Sequence, residues 1–372
     1  MRFARMLIEQ EAPNLVGWEH MDANLSESSV RDRSLKELEI DLSEMSLPYG
    51  HHFGEPKLRQ VIADQSGAAN IAADDIIVTA GAAGALFLLS SSLLEPGDRL
   101  VVAMPNYATN YETPHAIGAD VVYVEQTIDD DFALNVVAYE AAVTPATKLI
   151  SITTPHNPSG TVVSTEDLDR LIALAEKNDC LLLVDETYRE MGYGEVLPLA
   201  ASRSPRVISV SSMSKSWGVP GIRVGWLVCR DHDVITRLIA GKEQIAITGS
   251  VVDEEIAYQI LSNRERIWPG IKAEIDDGLT VMEEWIESEQ RVRWVRPLAG
   301  AACIIDVTGA TDEQMHNIYA ALRDEYRLWV APGYWFKMPL SHIRIGFCWE
   351  KTAADTRRGL DLLSQALDKH LV

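Results

Sequence analysis

The chain has 372 residues, 47% of them hydrophobic and 24% charged, which is enough apolar material for a large core in one or two lobes. Its formal net charge of -22, with no basic block, excludes nonspecific binding to a phosphate backbone, because that binding needs clustered Lys and Arg. Nucleic acid is therefore not an expected partner.

The start, "MRFARMLIEQEAPN", has too short an apolar run before Glu9 for a signal h-region or a membrane span, so cytoplasmic residence is expected. Residues 1–45 read as an N-terminal arm rich in acidic residues, packing with a smaller domain. His51 and His52 follow it; adjacent histidines point apart on a strand and no acidic spacing accompanies them, so they read as loop residues near the mouth of the site rather than metal ligands. Between about residues 75 and 230, short apolar runs alternate with helix-period segments. "DIIVTAG", "RLVVAMP", "ADVVYVE", "TKLISITT", "CLLLVDE", "RVISVSS" and "VGWLVCR" read as strands, and "STEDLDRLIALAEKN" as an amphipathic helix capped by Ser164. Such alternation predicts an α/β fold with a mostly parallel sheet covered on both faces. Beyond residue 230 come long helical stretches, the short strands "VRWVRP", "ACIIDV", "LWVAPG" and "HIRIGF", and a last helix near residues 353–369. The expected division is an arm over 1–45, a large domain over 46–250 and a small α+β domain over 251–372. Cys180, Cys229, Cys303 and Cys348 lie apart in apolar segments without CxxC or Cys/His spacing, so they read as reduced core residues and no metal is expected.

Functional groups in open α/β sheets gather beyond the carboxyl ends of the strands. "TAGAAGAL" puts the amides of Gly81, Ala82 and Ala83 at a helix start, which suits an anion, although the same run also suits a helix packed through small residues. Asn157 follows a strand in the Pro-bounded loop "TTPHNPSG". Asp185 ends the apolar run "LLLVDETY", with Tyr188 three residues on; a carboxylate there needs a partner, or else it serves as a helix cap. Ser212 and Lys215 follow "RVISV", and Arg223 precedes the next strand. A lysine beside another cation in a dry site has its ammonium disfavoured, freeing the amine for Schiff-base chemistry. Arg223, Ser212 and the helix start could hold a phosphate, and Asp185 could keep a pyridine nitrogen protonated.

"SMSKSWGVPGIRVGW", "PHNPSG", "VDETY" and "YGHHFGEPKLRQVIA" together resemble the class I/II aminotransferases, pyridoxal 5'-phosphate enzymes of fold type I, over about residues 45–350. The resemblance implies a cofactor bound through Lys215 as a Schiff base, with Lys215 also moving the substrate's α-proton. Asp185 would pair with the pyridine nitrogen, and Asn157 and Tyr188 with the ring hydroxyl. Ser212, Arg223 and the Gly81, Ala82 and Ala83 amides would bind phosphate, Tyr107 would stack on the ring, and Arg344 in "HIRIGF", together with Asn157, would bind the substrate carboxylate. Tyr49 resembles a tyrosine that reaches the phosphate of a second subunit, which implies a homodimer. The implied activity is transfer of an L-amino acid's amino group. The arm departs from the usual pattern: "WEHMDANLSESSVRDRSLKELE" is similar to capreomycidine synthase-like members, which cyclise an arginine-derived substrate, so a cyclase or lyase is the alternative. Glu9, Glu19, Asp22 and Glu27 are candidates to pair with a basic substrate group, or else form a solvated face. A non-catalytic sensor would be expected to add a basic DNA-binding segment, and none precedes residue 45.

Overall fold

A computed structural model describes residues 1–371. In chain order the strands are β1 (Ala23–Leu25), β2 (Ile76–Ala80), β3 (Arg99–Met104), β4 (Asp120–Glu125), β5 (Thr147–Thr153), β6 (Leu181–Asp185), β7 (Val207–Ser212), β8 (Val224–Cys229), β9 (Val292–Trp294), β10 (Ala302–Val307), β11 (Leu328–Pro332) and β12 (His342–Gly346). They build two sheets. The large one has the order β2-β8-β7-β6-β5-β3-β4, the small one β1-β11-β12-β10-β9.

The large sheet is the mostly parallel one that the apolar runs predict. All five residues of β6 and all six of β7 are buried, as strands covered on both faces must be. Between β5 and β6 the helix Thr165–Lys177 starts where Ser164 Oγ accepts from the Asp167 amide at 3.0 Å, and Leu168, Leu171, Ile172 and Ala175 form its buried stripe. Only β8 runs against its neighbours, pairing antiparallel with both β2 and β7. Its reversal has a chemical consequence. Val224 lies opposite Ala80 and Gly225 opposite Ser212, so Arg223, which enters β8, stands on the same rim as the carboxyl ends of β2 and β7.

The helix Val251–Ser262 packs on Pro56–Asp64 of the large lobe, and Arg264–Ser288 then carries the chain to the small sheet. There the arm supplies β1 as an edge strand parallel to β11, with Leu25 fully buried. One apolar cluster runs through both lobes, joining Leu58, Met213 and Trp217 to Ile305, Ile343 and Leu363. The four cysteines are free and buried, and among the described residues no helix is long and apolar enough to cross a membrane.

After β1 the arm threads between the lobes. Arg344 Nη2 donates to Ser26 O at 2.5 Å, Val30 N to Lys215 O at 3.2 Å, and Arg33 N to Gly218 O at 2.8 Å. A Cβ at Gly346 would collide with the Glu27 carbonyl, so the close approach of arm and β12 requires glycine there. Gly346→Ala is expected to destabilise the protein by about 1–3 kcal/mol through this overpacking, measured by chemical denaturation.

Glu186, directly after β6, is buried and accepts from the Ala200 amide; burial pushes its carboxyl from the ordinary 4.5 up to about 7. The folded state therefore holds a proton that the unfolded chain releases, and stability present below pH 4.5 is lost as pH rises towards about 7. Glu186→Gln, which carries no charge to desolvate, should exceed the wild type at pH 8 by an amount on the order of 3 kcal/mol, with the advantage disappearing below pH 4.5. Thermal melts across that range measure it.

Candidate active site

A cavity of about 560 Å³ opens where the strand ends of the large sheet meet β12 and the arm. Ala82, Ala83, Tyr107, Asn157, Asp185, Tyr188, Ser212, Lys215, Arg223 and Arg344 all line it, although they come from segments up to 262 residues apart (344 minus 82). Tyr49 does not; it is 88% exposed on the surface of the single chain.

At one corner the helix Gly81–Leu93 begins directly after β2, with its first amides free of intrahelical partners. Gly81 has a φ of +71°, and a Cβ there would lie 2.6 Å from Arg223 Nη2, so only glycine lets the guanidinium reach the helix start. Arg223 Nη1 donates to Pro220 O at 2.8 Å and to Ser214 Oγ at 3.3 Å. Backbone amides, the Ser212 and Ser214 hydroxyls and this guanidinium converge with no acidic side chain bound to Arg223 among the described residues. That donor set suits a dianion.

Asp185 stands on the cavity wall, 5% exposed. Its Oδ1 accepts from Thr187 N at 3.1 Å and from Thr187 Oγ1 at 2.6 Å, and the Asn110 side chain adds a further bond. Burial pushes its pKa up and these donors pull it back. The Tyr107 phenol is likewise pushed up, chiefly by burial. Lys215 faces the same space, and its amine has no hydrogen-bond or ion-pair partner among the described residues.

Arg344, on β12, is 4% exposed. Its Nη1 donates to Asn157 Oδ1 at 3.0 Å, its Nη2 to the Ser26 carbonyl, and its plane lies 4.9 Å from the Phe336 ring, while Nε has no acceptor. No carboxylate pairs with it among the described residues. Tyr188 OH shares a hydrogen bond of 2.8 Å with Ser28 Oγ of the arm, a partner that sequence reasoning did not supply.

Pyridoxal 5'-phosphate fits these residues. The helix start and Arg223 would hold its phosphate, Asp185 its pyridine nitrogen, Tyr107 its ring face and Lys215 its aldehyde, leaving Arg344 for a substrate carboxylate. The acidic arm divides: Glu9 and Glu27 line the cavity, whereas Glu19 and Asp22 do not. Sequence reasoning missed Thr187, Ser28, Asp32 and Trp349, which also line the site or bond to it. Thr187 had a signal, since a hydroxyl two residues after Asp185 closes a local turn; the others are placed by tertiary contacts. His51 and His52 do not line the cavity; His52 Nδ1 lies 2.7 Å from Glu243 Oε1, and no group of three metal-ligating side chains occurs among the described residues.

Residues 23–363 match the family described as aminotransferase class I and II. Capreomycidine synthase of Streptomyces vinaceus is 26% identical over 335 residues, 89% of this chain and 83% of that protein. The aspartate/prephenate aminotransferase of Thermus thermophilus is 28% identical over 228 residues, 60% of this chain and 59% of that enzyme; with several curated relatives the match spans about half of their length. A solved PLP-dependent aminotransferase from Streptococcus suis has a TM-score of 0.91 at 26% identity, covering 100% of this chain and 99% of that one. The chain therefore belongs to the class I and II aminotransferases, the fold type I enzymes that work with pyridoxal 5'-phosphate.

Proposed function

We propose that this protein transfers the amino group of an L-amino acid. The observation that carries the reading is a single cavity in which Lys215, Arg223 and Arg344 stand without ion-pair partners among the described residues, with the buried Asp185 on its wall. Each cation matches one anionic or electrophilic group of a cofactor and an amino acid.

When bound, the cofactor supplies an electron-withdrawing ring that stabilises charge at the substrate's α-carbon. The chain does the rest. Arg223, Ser212 and the amides of Gly81, Ala82 and Ala83 anchor the phosphate. Asp185, held by Thr187 and Asn110, keeps a proton on the pyridine nitrogen; a carboxylate in so dry a place gains most from a cationic neighbour. Asn157 and Tyr188 orient the ring hydroxyl, Tyr107 covers the ring, and Arg344, fixed by Asn157 and Ser26, grips the α-carboxylate. Lys215 would hold the cofactor through its aldehyde and would move the substrate's α-proton at Nζ.

A homodimer belongs to the same reading. Leu47 (72% exposed), Tyr49 (88%), Ile245 (57%) and Ile247 (54%) leave apolar surface that a second copy would cover, carrying Tyr49 to the other subunit's phosphate.

The match to capreomycidine synthase over 89% of the chain, wider than the match to the Thermus aminotransferase, favours a second reading: a lyase or cyclase that uses the same Lys215 proton removal to expel a side-chain group and close a ring. Incubation with an amino donor and 2-oxoglutarate separates the two. Accumulating glutamate supports transfer, whereas loss of substrate without glutamate supports elimination.

Borohydride reduction of the holoenzyme followed by peptide mapping should place the cofactor adduct on Lys215; an unmodified Lys215 contradicts the assignment. Lys215→Ala should lower turnover about a thousandfold or more. Arg223→Met should weaken cofactor binding about 10- to 100-fold, read as the dissociation constant from absorbance titration.

A further inference from the structure

The stretch of arm that crosses the cavity is clamped along its length. Ser26 O is held by Arg344, the Glu27 backbone lies against Gly346, Ser28 Oγ meets Tyr188 OH, and Val30 N donates to Lys215 O. Its two arginines face elsewhere: Arg31 and Arg33 both pair with Glu37 and with Glu274 of the helix Arg264–Ser288. Glu27 and Asp32 are thereby left facing the cavity without an ion pair among the described residues, and Asp32 takes a side-chain hydrogen bond from Trp349.

Two carboxylates so placed repel one another. Burial and Glu27 both raise the Asp32 pKa, with Lys215 pulling only weakly the other way. Arg344, buried and with an unsatisfied Nε, lines the same cavity, and Glu27 acts on its guanidinium through space without forming an ion pair among the described residues. An anion receptor and two carboxylates carried on a clamped backbone thus share one cavity, which Trp335 and Trp349 also line.

We propose that Glu27 and Asp32 form a subsite for the distal cation of a basic L-amino acid, whose α-carboxylate is held by Arg344. A guanidinium suits the subsite best, because its planar donors can engage two carboxylates and its face can lie on an indole. This inference rests on the reading of the cavity as an amino-acid site. Glu9 also lines the cavity but acts on Tyr107 and is not part of the subsite.

L-Arginine and L-citrulline have nearly the same shape and differ in charge, so their comparison isolates the subsite. Calorimetric titration of the holoenzyme should show arginine bound at least about tenfold more tightly than citrulline. In Glu27→Gln and Asp32→Asn, which keep side-chain volume, that ratio should fall towards one, with unchanged melting temperatures showing that the fold is retained. A wild-type ratio near one overturns the subsite, as does a ratio that survives both substitutions. If neutral and acidic amino acids bind while arginine gains nothing over citrulline, the subsite alone fails. If no amino acid binds or perturbs the cofactor absorbance, the enzyme reading fails with it.

Discussion

Lys215, Arg223 and Arg344 stand in one cavity, none of them in an ion pair among the described residues, and this arrangement organises the site. An unpaired cation taken out of water costs several kcal/mol, and at Arg344 the Asn157 and Ser26 oxygens, the Phe336 face and the more distant Glu27 charge offset part of that cost. A structure that retains such a charge places a standing demand on its ligands. An anion bound at the buried Arg344 returns part of that desolvation energy as affinity, and any ligand that binds only the folded state raises the free energy of unfolding.

The sheet makes this possible by reversing a single strand. With β8 antiparallel, the side chain that enters it falls beside the carboxyl ends of β2 and β7, and a guanidinium, a helix start and a lysine loop share one rim. A fully parallel sheet would have sent Arg223 to the opposite edge. Glycine at 81 then removes the last steric obstacle. Topology, a left-handed glycine and an arginine that is itself left-handed are a single device.

Much of this rim was legible in the sequence because strand ends announce themselves. Asp185 follows five apolar residues, Lys215 follows "RVISV", and Asn157 sits between prolines; each lies within a few residues of a periodic segment whose end it marks. The arm behaves differently. Its only strand near the site is three residues long, and Ser26 meets Arg344 across 318 residues of sequence. No periodicity encodes such a meeting. Hence Glu27 and Asp22, both acidic and five residues apart, looked alike, yet Glu27 faces the cavity and Asp22 lies outside it beside Arg327. Asp32 escaped notice in a charged run, and Tyr188 has an unforeseen partner in Ser28. Tyr49 is exposed on the single chain and away from the cavity, which no pattern in the sequence announces.

The division of labour between rim and arm has a mechanical corollary. Ser26 and Glu27 are neighbours in the chain: the first holds the guanidinium of Arg344 and the second faces the same cavity. Because Gly346 lets the arm backbone rest directly on β12, the two functions move as one body. A shift of the arm would move the Arg344 guanidinium and the Glu27 side chain together, whereas a substitution at the tip of Glu27 leaves the bond between Ser26 and Arg344 in place. Selectivity in such a site would reside in side-chain identity on a fixed backbone, and the chemistry of the rim need not change when the substrate does.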